Sequence, residues 1–179
     1  STQSLNSRLI PEENPNATPD AQSAAGIRYG SVLQALHEIY PSEELDHRTA
    51  LSRSDGYWPY IQKGQDPPQD YTYGEFDFFF FAQLLDRALQ HVKEYSSWDD
   101  KVFTDIGSGM GRLVLAAAGL HRWKLCRGIE LLPAIHRAAQ EIAETRLSNV
   151  KVNMAQADFV CGSFLDPYVH YADSDLVFC

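Results

Sequence analysis

The residues with the most chemical content lie in Asp105-Ile106-Gly107-Ser108-Gly109-Met110-Gly111, with Glu130 further on. Glycines at alternate positions let a backbone turn sharply and approach a ligand with no Cβ in the way. Val102-Phe103-Thr104-Asp105-Ile106, which reads as a buried strand, leads into the loop, and a Leu- and Ala-rich run from Arg112 to Leu120 follows it. A strand passing through such a loop into a helix aims amide N–H groups at whatever sits above the helix N-terminus. A dinucleotide fingerprint places its third glycine three positions after the second. Here the third comes two positions after, and an Asp stands two positions before the first. That variant suits a ligand with a cationic ammonium and no pyrophosphate, with Asp105 organising the loop or meeting the ammonium directly or through water. Glu130 follows Asp105 by 25 positions and closes a second apolar run. An acid about 20 residues on, at the end of the next strand, can accept hydrogen bonds from the hydroxyls of a ribose. Singly, a glycine loop is only a tight turn and a strand-end acid is only a surface feature. In this order and spacing they read as a ligand site. S-adenosylmethionine has both the ribose diol and the amino-acid end; NAD fits the glycines worse.

The elements that hold this site follow from hydrophobic spacing. Strands are predicted over 102–106, 125–129, 149–154 and from Leu176 to Phe178, with helices over 112–120 and 133–147. The third strand rests on the alternation of Val150 and Val152, and the second helix on Pro133 near its first position. Strands alternating with helices imply a parallel sheet with crossover connections, which binds ligands beyond the carboxyl ends of its strands. Upstream, a long helix is predicted over 75–95, with Phe78, Phe81, Leu85, Ala88 and Val92 along its inner face. Another is predicted over 31–40, ended by Pro41, with a short one after Ser42. Residues 55–72 carry Gly56, Pro59, Gly64, Pro67 and Pro68 and read as a loop with aromatic anchors. Residues 1–25 have little to bury and read as disordered.

Phe103 to Gly111 resembles the first motif of the class I S-adenosylmethionine-dependent methyltransferases, and Glu130 resembles their second acidic position. Tyr73-Gly74-Glu75, a long helix and then Asp-x-Gly-Ser-Gly-x-Gly together resemble the histone lysine methyltransferases of the disruptor-of-telomeric-silencing type (Dot-one-like). The resemblance covers roughly residues 71–179. It implies an α/β fold: a Rossmann-like class I methyltransferase sheet over 96–179, reached through a helical and loop region over 26–95. The sheet is expected to be C-terminally incomplete, because the family's polar, Asn-containing segment would begin where this chain stops. The chain starts at Ser1 with no Met and is expected to be a piece of a longer protein.

The resemblance implies S-adenosyl-L-methionine as cofactor. Tyr73, Gly74 and Glu75, with Phe76 next in line, would fold over its methionine end. Asp105, Gly107, Ser108, Gly109, Gly111 and Arg112 would form its cradle, and Glu130 would hold its ribose. Arg112 stands where a polar amide is often found. Gly162-Ser163-Phe164-Leu165 resembles the family's Gly-Asp-Phe-Leu segment that packs on adenine, with Ser163 in place of Asp. Ala157-Asp158-Phe159 is a rival match, and the distance to the fourth strand favours Ser163 and Phe164. The implied activity is methyl transfer to a protein lysine of histone type. A neutral amine must then lie in line with the carbon–sulfur bond, and desolvation in an aromatic channel supplies the neutral form. Tyr71, Tyr73 and Phe76 are candidates for that channel wall, with core packing an equal explanation. No general base is needed, and no catalytic residue is named. A non-histone or small-molecule acceptor, and a non-catalytic adaptor, stay open as alternatives.

Composition bounds the rest. The chain has 179 residues, 44% hydrophobic and 22% charged, with a formal charge of −9. That argues against direct nucleic-acid binding by this segment, which wants a surplus of Lys and Arg, and suits a basic protein such as a histone as partner. His121, Arg122, Lys124 and Arg127 form the basic cluster and read as a solvated connection. Cys126, Cys161 and Cys179 form no disulfide framework and no zinc spacing, so a reducing intracellular compartment, nuclear or cytoplasmic, is expected. The histidines show no metal-binding spacing, no apolar run is long enough to span a bilayer, and no signal peptide is evident. Asp66-Pro67-Pro68-Gln69 resembles an Asp-Pro-Pro-aromatic amine-methylation motif but lacks its aromatic, and a turn is the better reading.

Overall fold

The computed structural model describes residues 24–66, 76–92 and 97–179. Its centre is a four-stranded parallel sheet in the order β3-β2-β1-β4. The strands are β1 (Val102–Ile106), β2 (Leu125–Glu130), β3 (Ala157–Cys161) and β4 (Leu176–Phe178). Val102 pairs with Leu125 and Ile106 with Ile129, while Phe103 pairs with Leu176 on the other side. The crossover helices are α5 (Arg112–Leu120) and α6 (Pro133–Arg146). Both crossovers run the same way across the sheet, so right-handed connections put both helices on one face. The chain order reverses between β1 and β4, and a ligand crevice belongs at that point, beyond the strand ends.

The upstream region is helical: α1 (Ala24–Ile39), α2 (Leu45–Gly56), the single turn α3 (Trp58–Ile61) and α4 (Phe78–His91). Asp77 starts α4, its carboxylate accepting the Phe80 N–H at 2.9 Å. That bond satisfies one of the orphan amides of the first turn and is worth about 1 kcal/mol. Phe81 lies edge-on to Phe103 of β1 at 6.2 Å and to Phe178 of β4 at 5.5 Å. This is how α4 grips the sheet. At the C-terminal end of α1, Arg146 of α6 donates to the Ile39 carbonyl at 2.7 Å, and Arg48 of α2 donates to that of Pro41 at 2.9 Å. Two guanidinium groups thus supply donors that the end of a helix lacks. No helix among the described residues is long and apolar enough to cross a membrane.

Several expectations need correction. The strand predicted over 149–154 is absent, and β3 begins at Ala157 instead. Val150, Val152 and Met154 do pack, half-buried, against the core, which is what their alternation records. The Ala155 N–H goes to the Ala118 carbonyl, however, and the β2 edge is taken by Ala157–Cys161. Asn149 instead closes a 3-10 turn and the chain bends at 151–152, so alternating burial here comes without a ladder partner. Residues 55–72 are not wholly loop: α2 runs to Gly56, and Pro59 sits within the first turn of α3, where its missing N–H costs nothing. The helix predicted over 31–40 starts earlier, at Ala24, inside the stretch read as disordered. The inner face of α4 is Phe78, Phe81, Ala82, Leu85 and Leu89, while Ala88 and Val92 are only half-buried. Helix α4, at Phe78–His91, is shorter than the predicted 75–95, and the remaining strands and the two crossover helices lie within a residue or so of their predicted spans.

Candidate functional site

The glycine loop is built by its own backbone. Gly107, Gly109 and Gly111 have φ of 80°, 53° and 81°. The amides of Gly107 and Ser108 both donate to the Ile129 carbonyl, at 2.8 and 3.0 Å, which fastens the loop to the end of β2. Gly111 is the position where no other residue fits. It opens α5 in the left-handed region, and a Cβ there would run into the Phe159 ring of β3. Gly128 is nearly as confined, since a Cβ would come within 2.6 Å of Ser108 Oγ. Tyr40, just past α1, donates its hydroxyl to the Met110 carbonyl at 2.8 Å and braces the loop from the helical side.

Glu130 does more than its position in the sequence indicates. One carboxylate oxygen accepts the Gly109 N–H at 2.8 Å, and the other accepts the Leu132 N–H at 2.8 Å. The residue is 8% exposed. It therefore ties the glycine loop of β1 to the β2–α6 turn, the organising role first offered to Asp105. Each oxygen keeps a further lone pair for a ligand hydroxyl. Asp105 is 4% exposed. Burial first, and then the charge of Glu130, push its carboxyl up to about 7. Two acids in so dry a place are costly unless a cation joins them.

These residues surround a cavity of about 750 Å³ beyond the ends of β1, β2 and β4. That is within the usual range for a small-molecule site. Asp105, Gly107, Ser108, Gly109, Arg112, Glu130, Ser163, Phe164 and Phe76 all line it. Gly111 shapes it from behind, and Arg112 lies over the Phe76 ring at 5.3 Å. Tyr73, Gly74 and Glu75 lie outside the described residues, as does Tyr71. Of the two candidate adenine segments, Ser163 and Phe164 line the cavity. Asp158 is turned to solvent, and Phe159 is buried beneath the loop glycines.

The segment carrying Ser163 and Phe164 is held at both ends. Gly162 donates to the Glu130 carbonyl at 2.9 Å. At the far end, Arg127 grips Asp173 at 2.7 and 3.2 Å, and Thr104 meets Ser174 at 2.7 Å. Sequence reasoning missed much of the cavity wall, Leu132, Ile135 and Ser52 among it. Leu132 and Ile135 follow Glu130 directly, and their apolar character so close to a strand-end acid was a usable signal. Ser52 of α2 carried none. Among the described residues, no cluster of His, Cys, Asp and Glu is arranged to hold a metal ion.

A parallel sheet with a glycine loop after its first strand, a buried acid after its second and a cavity over both defines a Rossmann-like nucleoside-binding protein. A family model described as "Histone methylation protein DOT1" matches residues 65–178. The chain belongs to that family. No curated protein matches the sequence. Among solved structures, YcgJ from Bacillus subtilis is similar at 20% identity and a TM-score of 0.32, over 46% of this chain and 30% of that one. Phosphoethanolamine N-methyltransferase 1 of Haemonchus contortus, solved with phosphoethanolamine and S-adenosylhomocysteine, is 15% identical over 88% of this chain and 26% of its own, with a TM-score of 0.37. Magnesium protoporphyrin IX methyltransferase of Synechocystis, solved with bound SAM, is 18% identical over 66% and 55%, with a TM-score of 0.34. The chain thus spans about a quarter to about half of the length of these three proteins.

Proposed function

We propose that this chain is the cofactor-binding part of an S-adenosylmethionine-dependent methyltransferase that acts on a lysine amine of a basic, histone-type protein. The observation that carries the reading is the Glu130 carboxylate, which locks the Gly109 and Leu132 amides and faces the same cavity as Asp105. The fit to the cofactor rests on that donor set. Buried acids call for a cationic group, the free lone pairs of Glu130 suit a ribose diol, and glycines leave room beside the backbone. S-adenosylmethionine, when bound, supplies a methyl group made electrophilic by its sulfonium.

The protein's share is binding and orientation. Asp105 compensates the ammonium, and the loop amides and Glu130 fix the nucleoside. Ser163 and Phe164 would cover the adenine side, and the family resemblance assigns the methionine end to Tyr73, Gly74 and Glu75, which lie outside the described residues. Removing water from the approaching amine keeps it neutral, and no side chain need accept its proton during transfer. Family membership supports the histone-type acceptor, and the charge of −9 suits a basic one.

The test is a calorimetric titration of S-adenosylmethionine, and separately of NAD, into the chain and into Glu130→Ala. Saturable binding of S-adenosylmethionine that weakens at least tenfold in the variant is expected, because charge-assisted bonds are removed and the loop amides are released. Binding of NAD alone sinks the proposal.

A further inference from the structure

The cavity has a wall that lies outside the region matching the family. Helix α2, residues Leu45–Gly56, precedes residue 65, where that match begins. Its inward stripe is Arg48, Ser52 and Gly56, with Asp55 beside them, and it packs against α6. An apolar stripe is what a helix ordinarily turns toward a core. A polar one calls for a reason.

Two of these residues point to it. Ser52 is 3% exposed and lines the same cavity as Glu130. A serine hydroxyl on a cavity wall can both donate to and accept from a polar group of a ligand held there. Asp55 is one turn further along. Its carboxylate accepts the Ala134 N–H, in the first turn of α6, at 2.6 Å. The residue before α6 is Leu132, which has no side chain able to cap it. Helix α2 therefore caps α6 from outside, and that bond sets where Ser52 stands relative to the β2–α6 turn.

We infer that α2 is part of the nucleoside site. Ser52 hydrogen-bonds a sugar hydroxyl of the bound nucleoside beside Glu130, and Asp55 is the positioning residue that holds it there. The sugar is the relevant group because Asp55, one turn from Ser52, holds the Ala134 amide, two residues beyond the Leu132 amide that Glu130 holds. This inference rests on the nucleoside reading of the cavity and adds a residue that no motif marks.

Calorimetry on the full chain tests it, using S-adenosylhomocysteine and its 2′-deoxy and 3′-deoxy counterparts. Ser52→Ala deletes one hydroxyl at a helical position that alanine favours, so the melting temperature should stay unchanged. Binding of S-adenosylhomocysteine should weaken about three- to tenfold, the value of one hydrogen bond, and that loss should vanish with one of the deoxy ligands. Asp55→Ala should weaken binding too, Asp55→Asn should restore most of it, and Asp55→Ala should cost no further affinity once Ser52 is already Ala. Wild-type affinity in Ser52→Ala, alongside lost affinity in Glu130→Ala, overturns this inference and leaves the proposed function standing. An undiminished Asp55→Ala loss in the Ser52→Ala background overturns the positioning role. A wild-type chain that binds none of these ligands overturns both readings.

Discussion

Asp105 is a carboxyl that the free protein holds at an energetic loss. Buried and set near Glu130, it has a folded pKa of about 7, well above the ordinary carboxylate value of 3.8. A group raised in this way binds more protons folded than unfolded. Its contribution is intact below about pH 4, falls away as the pH rises toward 7, and stays lost above that. Asp105→Asn removes the titration. Urea unfolding of both proteins at about pH 5 and about pH 8 checks this. The variant should gain at least ~1 kcal/mol on the wild type between the two conditions, since a tenfold change in proton affinity is worth about 1.4 kcal/mol. His136, which burial holds below the ordinary histidine range, is shared by both proteins and drops out of the difference. An equal pH dependence in the two would mean that Asp105 is ionised and compensated in the free chain. The same variant should bind S-adenosylmethionine poorly, because an amide cannot offset an ammonium.

Helices α1, α4 and α5 meet at one carboxylate, and that junction holds the helical region on the sheet. Asp86 of α4 accepts from Arg28 at 2.7 Å, from Tyr29 at 2.6 Å and bonds His121, at the end of α5, at 2.7 Å. Burial alone would raise its pKa, but the bonds from His121 and Tyr29 and the charge of Arg28 outweigh it and hold it below the usual range. A depressed carboxyl stabilises above its unfolded pKa and loses that contribution as the pH falls through the folded one. Asp86→Ala should cost roughly 1–3 kcal/mol at neutral pH, less than a fully buried pair because the site is partly open to solvent. The penalty should shrink below about pH 4, as urea unfolding across that range can show. None of this junction was legible beforehand, because its partners lie 35 to 58 positions apart in the chain. What could be read was what leaves a local trace: β1 as a buried strand, Gly111 before α5, and Pro133 opening α6. The alternation at Val150 and Val152 misled because period two reports two-sided burial and says nothing of a pairing edge. Helix α2 was read only as a short helix because its inward face is Arg48, Ser52 and Gly56, which breaks the apolar period.

Bracing converges on the glycine loop from every side. Tyr40 holds Met110 from the helical region, Glu130 holds Gly109 from β2, and Phe159 of β3 lies under Gly111. A loop so held gains little rigidity on binding, so ligand stabilisation should follow mass action on the folded state alone. At about 100 times its dissociation constant, S-adenosylmethionine should then add about 2.7 kcal/mol, a rise of roughly 5–10 °C in melting temperature for a chain of this size. NAD should add nothing comparable. The charge state of the cavity makes the effect depend on pH. At about pH 5.5 Asp105 is mostly protonated in the free protein, and a cationic ligand must first drive its proton off. At about pH 7 half of that work is already done. Scanning fluorimetry at fixed ligand concentration should therefore show a larger rise at about pH 7 than at about pH 5.5, and this difference should disappear in Asp105→Asn. A rise that is the same at both pH values in the wild type would mean that the ligand's cationic end binds away from Asp105, and the orientation proposed for the nucleoside and methionine ends would have to be reversed.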